Sequence, residues 1–214
     1  MKNILLYIIL LPLIEVSAQW DLSASMGLDF RFAPSMRDYI NLSFAPQNSK
    51  LSSFTSAINF AVEANYMQNT TFQYGIEYSI LIDSYNTSVG LGGLYEISYL
   101  MHRPTGVAYY VLSGPGYKFK MGGGIGPRFV SLKEKIFTED DYSVTGLGFL
   151  LKAEGNTMLG KNLYALIGLD FRYDLPGEPE NKSGQRKIIN FSNNETVNLN
   201  SLSIGIKLGI LYTL

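Results

Sequence analysis

From Asn198 to Leu214 the chain alternates with period two. Leu202, Ile204, Ile206, Leu208, Ile210, Tyr212 and Leu214 fall on one face, and Ser201, Ser203, Gly205, Lys207, Gly209 and Thr213 on the other. A helix would mix these two sets around its circumference, whereas a strand separates them cleanly. A strand with one wholly apolar face cannot stand alone, so it must belong to a sheet.

The same period recurs along the chain. Trp20, Leu22, Ala24, Met26, Leu28, Phe30 and Phe32 alternate with Asp21, Ser23, Ser25, Gly27, Asp29 and Arg31. Further strands are expected over about 54–66, 72–84, 117–131, 145–155 and 163–174. The stretch 91–112 has two readings. Either one long strand carries a proline bulge at Pro104 and turns at Ser113-Gly114-Pro115-Gly116, or the chain turns near Pro104 and the next strand is kinked at Pro115. Splitting this stretch into two strands would give an odd total, with the connections after Phe32 and Tyr173 at opposite ends, so eight strands are expected. Long connections at 33–53, 133–143 and 175–197 then alternate with short ones at 68–71, 113–116 (or 102–106) and 156–162; the connection at 85–90 is short for its side.

Alternation alone does not say which face points outward, because a soluble lipocalin-type barrel shows the same period with its apolar face inward. Aromatic spacing separates the two. Trp20 and Phe32, Phe54 and Tyr66, and Tyr117 and Phe129 each stand twelve residues apart on the apolar face. Phe72 opens the third strand without such a partner, since Ser84 occupies the far position. Twelve residues of a strand tilted near 40° climb roughly 30 Å, about the height of the apolar band between the two aromatic girdles of a membrane barrel. A low charged fraction of 16% with 13% aromatic residues fits that reading. The chain has no cysteine, so disulfides do not staple it.

The opposite face would then line the interior. Its acids are Asp29, Glu63, Glu77, Asp83, Glu154 and Asp170, and its bases Arg31, Lys118, Lys120, Arg128, Lys152, Arg172 and Lys207. Eight strands enclose just enough space for side chains to fill. Cross-strand ion pairs are therefore expected there instead of an open water column. Gly122, Gly124 and Gly126 leave room for the long side chains and ease curvature.

The chain ends on Lys207, Gly209, Tyr212 and Leu214, a polar residue, a glycine and two large apolar residues in fixed spacing. This resembles the assembly signal of bacterial outer-membrane barrels, with leucine where phenylalanine is usual. Residues 1–18 read as a cleaved secretory signal: Lys2, an apolar run from Ile4 to Ile14 too short to span a bilayer, and a small-residue site at Val16-Ser17-Ala18. Residues 19–214 resemble the small eight-stranded outer-membrane barrels of the OmpA/OmpX type. The resemblance implies an all-β, antiparallel up-and-down transmembrane barrel, a monomer with both termini periplasmic and long loops extracellular. Its implied partners are outer-membrane lipid, lipopolysaccharide, the barrel assembly machinery and an unidentified extracellular ligand. No cell-wall-binding domain is expected after Leu214.

Candidate chemistry is sparse. His102, the single histidine, is followed two residues later by Pro104, where membrane-facing lipid hydrolases place a serine, so a structural role is the better reading. The run Met121 to Gly126 ends in Pro127 and precedes no helix, which favours curvature over phosphate binding. Glu139-Asp140-Asp141 lacks the spaced ligands of a calcium loop, and Gln185-Arg186-Lys187 could meet lipid phosphates or serve solubility. A net charge of -1, unchanged by loss of the leader with its Lys2 and Glu15, gives no footprint for nucleic acid. No catalytic, metal or cofactor-binding residues are assigned. A non-enzymatic surface or envelope protein leads, ahead of a narrow pore and a lipid-modifying enzyme.

Overall fold

A computed structural model describes residues 20–53, 55–89, 93–136, 138–181, 186–190, 192 and 194–214. The leader at 1–18 and the girdle residue Phe54 lie outside the described residues. The strands of the barrel are β1 (Trp20–Phe32), β2 (Thr55–Met67), β3 (Phe72–Val89), β4 (Gly93–Gly114), β5 (Tyr117–Lys135), β6 (Glu139–Met158), β7 (Leu163–Leu175) and β8 (Ser201–Thr213). Each pairs antiparallel with its sequence neighbours, and β1 pairs with β8 to close the wall. A short helix, α1 (Pro34–Ser43), follows β1.

Closure is sheared. Trp20 pairs with Tyr66, Tyr66 with Tyr74, Tyr74 with Ala108 and Ala108 with Gly123. The circuit continues through Leu151, Phe171 and Ile204, and Ile204 pairs with Phe30, ten residues beyond the start. Eight strands staggered by ten residues tilt by about 40° and enclose a backbone cylinder of radius about 8 Å. Side chains projecting inward from such a wall meet near the axis.

The apolar face points outward, which rules out the soluble-barrel alternative. Met26, Ile76, Leu151 and Leu208 stand well exposed on the outer surface, whereas Asp29, Glu77, Arg172 and Lys207 are buried inside. At the short-turn end Trp20 packs on Tyr66 and Tyr66 on Tyr74, both with ring centroids 5.5 Å apart, and Phe72 meets Tyr110 at 5.6 Å. Tyr117 continues this lower girdle, while Phe32 and Phe129 stand toward the other end. The upper boundary is sharp. Ascending β3 to β6, the outward positions pass from Ile82, Leu100, Phe129 and Leu147 to Ser84, Ser98, Ser131 and Thr145.

Beyond that boundary the wall is uneven. β1, β2, β7 and β8 have 13 residues each, whereas β3, β4, β5 and β6 have 18, 22, 19 and 20. The segment expected as a long connection at 133–143 is instead a hairpin, with β5 running to Lys135 and β6 starting at Glu139. The connection expected at 85–90 is likewise mostly strand, since β3 continues to Val89. Strands extend this far because their inward residues, among them Tyr95, Ile97, Leu132 and Tyr142, find an apolar cluster to pack against.

That cluster also draws on the connections. α1 starts at a proline, tolerated in the first helical turn, and buries Met36, Tyr39 and Ile40, the spacing of one helical face. Phe44, just past its end, stacks on Tyr95 at a centroid distance of 3.8 Å. Ile188, Val197 and Leu199 join from the β7–β8 connection, so this segment does contribute to a core. The Asn198 backbone N–H donates to Ser35 Oγ at 3.0 Å, tying the two connections together over the mouth.

β4 resolves the ambiguous stretch. It is one strand that turns at Pro115-Gly116, with Gly116 at φ 81°, a conformation that suits glycine. It carries no bulge. His102 pairs with Phe129 and Gly106 with Ile125, so equal numbers of residues intervene on both strands and Pro104 stands opposite Pro127. Neither proline has an N–H, and the rungs between 103–105 and 126–128 are missing. Arg128 serves the carbonyls instead, its Nη1 donating to Pro127 O at 3.0 Å and Gly126 O at 3.2 Å. The stronger apolar phase of β4, from Ile97 to Val111, faces inward. Its upper part packs in the apolar cluster at the mouth, and Val107, Tyr109 and Val111 form a second cluster with Leu150.

An outward face that contacts acyl chains tolerates little charge. Leu151→Arg, on the exposed face of β6, should destabilise the protein in lipid vesicles by about 2–4 kcal/mol in urea unfolding. A change below about 0.5 kcal/mol, the usual effect at a water-exposed surface, would contradict the lipid-facing assignment.

Candidate functional site

The interior is the chemically densest part of the molecule. Because inward side chains come from every strand at fixed register, each charge is delivered to a definite layer. In the lowest layer Asp21 receives Lys118 Nζ at 2.9 Å and Lys120 Nζ at 3.1 Å, with Gln73 Nε2 donating at 2.8 Å. In the middle layer Lys152 Nζ lies 2.7 Å from Glu63, 3.0 Å from Glu77 and 2.6 Å from Glu154. Arg172 bridges Glu77 and Asp170, and Lys207 reaches the same Asp170. Tyr109 Oη donates to Glu63 at 2.9 Å, and Asn65 Nδ2 makes a further short contact with Glu63.

The layer above joins Arg103 to Asp29 at 2.9 Å and to Asp174 at 3.4 Å, and Arg128 also pairs with Asp174. Asn59 Nδ2 donates to Asp29 at 3.0 Å. At the top Arg31 Nη1 lies 3.3 Å from Asp83 Oδ2. The structure thus places the six interior acids and seven interior bases named from the sequence in these layered ion-pair groups, most of them bridging strands, with Glu154 meeting Lys152 of its own strand. It adds Asp21, Arg103 and Asp174. Asp21 and Asp174 sit at strand ends in the same phase as their neighbours, a signal present in the alternation. Arg103 is hidden by the interruption at Pro104.

Gly122, Gly124 and Gly126 point inward beside β4. A Cβ on Gly126 would run into Pro104 O, and one on Gly122 would meet the Tyr109 ring at 2.7 Å. The space they leave is taken by the β4 backbone and an aromatic ring rather than by lysine side chains.

The mouth is sealed by the apolar cluster and by one buried carboxylate. Glu134 accepts hydrogen bonds from Tyr39 Oη at 2.6 Å and Tyr95 Oη at 3.0 Å. Burial, with the adjacent Glu134 carboxylate, pushes the Tyr39 phenol above its ordinary value, so it remains a donor. This contact clamps α1 to the tall wall, and neither partner is apparent from sequence spacing alone.

Residues carrying candidate chemistry fall elsewhere. His102 faces outward, its Nδ1 2.7 Å from Tyr78 Oη. Glu139 and Asp141 lie 2.8 and 3.7 Å from Lys133, and Asp140 lies 3.5 Å from Arg186. Among the described residues no group of three or more histidine or acidic side chains is arranged to hold a metal ion. Of the terminal motif, Lys207 lies in the interior network, Gly209 lets β8 approach Ala24 closely, and Tyr212 and Leu214 face outward. The Leu214 N–H donates to Trp20 O at 2.8 Å, extending the closing seam to the end of the chain.

No protein-family model and no curated protein sequence matches this chain. Solved structures do match in fold. A major outer membrane protein from Thermus thermophilus superposes with a TM-score of 0.59 at 15% identity, covering 92% of this chain and 100% of that one. Ail, the attachment invasion locus protein of Yersinia pestis, in complex with the heparin analogue sucrose octasulfate, gives 0.54 at 12%, covering 92% and 99%. Neisserial surface protein A gives 0.50 at 10%, covering 90% and 96%. At these identities the likeness is one of fold, and the fold is that of the small eight-stranded outer-membrane barrels.

The network makes a sharp energetic prediction. Arg172 contacts both Glu77 and Asp170 with no exposure to solvent, so Arg172→Met strands buried carboxylates. Urea unfolding of the membrane-inserted variant should show a loss of about 3–5 kcal/mol. A loss below about 1 kcal/mol would mean the interior is hydrated.

Proposed function

We propose that this protein is a non-enzymatic outer-membrane barrel that acts through its plugged, tall-walled end as an envelope or surface-interaction protein. The observation that carries this reading is the double closure of the barrel. Charged layers fill the interior, and an apolar cluster of α1, the tall strands and the β7–β8 connection covers the mouth. The exposed surface of that end is then where other molecules are met. On this reading that end lies outside the cell and both termini are periplasmic, which the long connections at that end support, and the wall stands in outer-membrane lipid beside lipopolysaccharide after insertion by the assembly machinery.

The chemistry of the exposed end argues against a general polyanion receptor. Lys187 lies 2.9 Å from Glu178, Lys133 is held by Glu139 and Asp141, Lys135 lies 3.7 Å from Glu96, and Arg186 faces Asp140. Cations already answered by local acids offer little attraction to a sulfated chain. The sulfated ligand in the Ail complex therefore does not transfer to this surface, and contacts of mixed polarity fit better.

Orientation can be tested directly. Trypsin added to intact cells should cut after Arg186 or Lys187, both exposed, and spare Lys161 at the opposite end. Cleavage at Lys161 with the long connection untouched would reverse the topology and remove the surface reading.

A further inference from the structure

At the mouth, between α1, the start of β2 and the upper parts of β3 and β4, lies a cavity of about 340 Å³. Met36, Ile40, Leu51 and Ile97 give it apolar walls, while Arg31 and Asp83 form its polar floor. Arg31 is 3% exposed and only partly engaged. Its Nη1 lies 3.3 Å from Asp83, and its guanidinium lies over the Tyr99 ring, 4.0 Å from the centroid. Its Nε and Nη2 meet no hydrogen-bond acceptor among the described residues.

These two nitrogens are not arbitrary. Nε and Nη2 form the side edge of the guanidinium, two parallel N–H donors whose spacing matches the two oxygens of a carboxylate. Arg103, Arg128 and Arg172 each have one nitrogen without an acceptor, and Arg31 alone of these interior arginines leaves the whole edge unmatched. Buried donors are costly without an acceptor. Here they belong to a residue that lines a cavity large enough for a small molecule, at the end proposed to face the exterior.

We propose that this cavity binds a small monocarboxylate with an apolar body. The carboxylate accepts both hydrogen bonds from the Nε–Nη2 edge of Arg31, and the body lies against Met36, Ile40 and Leu51. A single negative charge is selected because Asp83 already shares this guanidinium, so a dianion meets repulsion. Arg37, which also lines the cavity, is already held by Asp38, and a neutral amide has one acceptor oxygen for two donors. This site deepens the surface-interaction reading and rests on it for access from outside.

The test is calorimetric titration of the refolded full-length mature chain in lipid nanodiscs with hexanoate, hexanamide and inorganic sulfate. Hexanoate should bind saturably at one site per chain, with hexanamide and sulfate at least about tenfold weaker. Arg31→Gln should weaken hexanoate at least about tenfold. Leu51→Trp, which fills the apolar half from a connection outside the barrel and leaves Arg31 in place, should do the same, and decides the matter if Arg31→Gln does not fold. Non-saturable hexanoate uptake, binding unchanged in Leu51→Trp, or sulfate equal to hexanoate would overturn the proposal. Because this is read on purified protein, absence of binding refutes the cavity without touching the surface reading. Binding by a protein whose long connection is inaccessible on intact cells would refute the surface reading and leave the cavity.

Discussion

Charge pairing inside a narrow cylinder is the constraint on which the rest of this structure depends. A wall of about 8 Å backbone radius leaves little room to hydrate the lysines, arginines and carboxylates that line it, so each needs an opposite charge, in most cases from another strand. Glu77 illustrates the point, since it meets Lys152 from β6, Arg172 from β7 and Lys207 from β8. Such contacts form only in one register. A slip of one residue would turn the charges into lipid and the apolar set into the interior. The network therefore specifies the stagger as well as filling the space, and β1 must meet β8 where Asp29 and Lys207 are carried to the right layers.

The two ends of the barrel solve different problems. Within the membrane band most inward side chains are polar because lipid takes the apolar ones, the cluster of Val107, Tyr109, Val111 and Leu150 being an exception. Above it, both surroundings are aqueous, and the tall strands place apolar residues inward against α1 and the β7–β8 connection, as a soluble domain would. Arg31, Asp83 and Tyr99 sit where the polar interior gives way to this cap. An arginine edge left unmatched at that junction is less constrained by the network below than any charge deeper in the barrel.

How far the sequence reveals this depends on which environment a segment serves. β1, β7 and β8 are legible from alternation alone because lipid on one side and charge on the other give the two phases opposite character. β4 is not, since Tyr95, Ile97, Tyr99 and Met101 face an apolar cap while Leu100 and Leu112 face outward, and both phases read as apolar. The same cause hides the extensions of β3, β5 and β6, whose outward residues above the band are serine, lysine and glutamate and read as connection. α1 was visible in principle from Pro34 followed by Met36, Tyr39 and Ile40, but ten residues between strands carry a weak helical signal. Pairing of the interior charges follows from composition and closure, whereas the free edge of Arg31 depends on side-chain geometry that no spacing encodes.

The central claim is that paired charges and the apolar cap close the barrel from end to end. Planar-bilayer recording of the purified, inserted protein at neutral pH addresses it most directly. The account predicts a baseline indistinguishable from bare lipid, because no continuous water path crosses the layers from Asp21 to Arg31. Stable openings of nanosiemens size would contradict it and make the interior a channel.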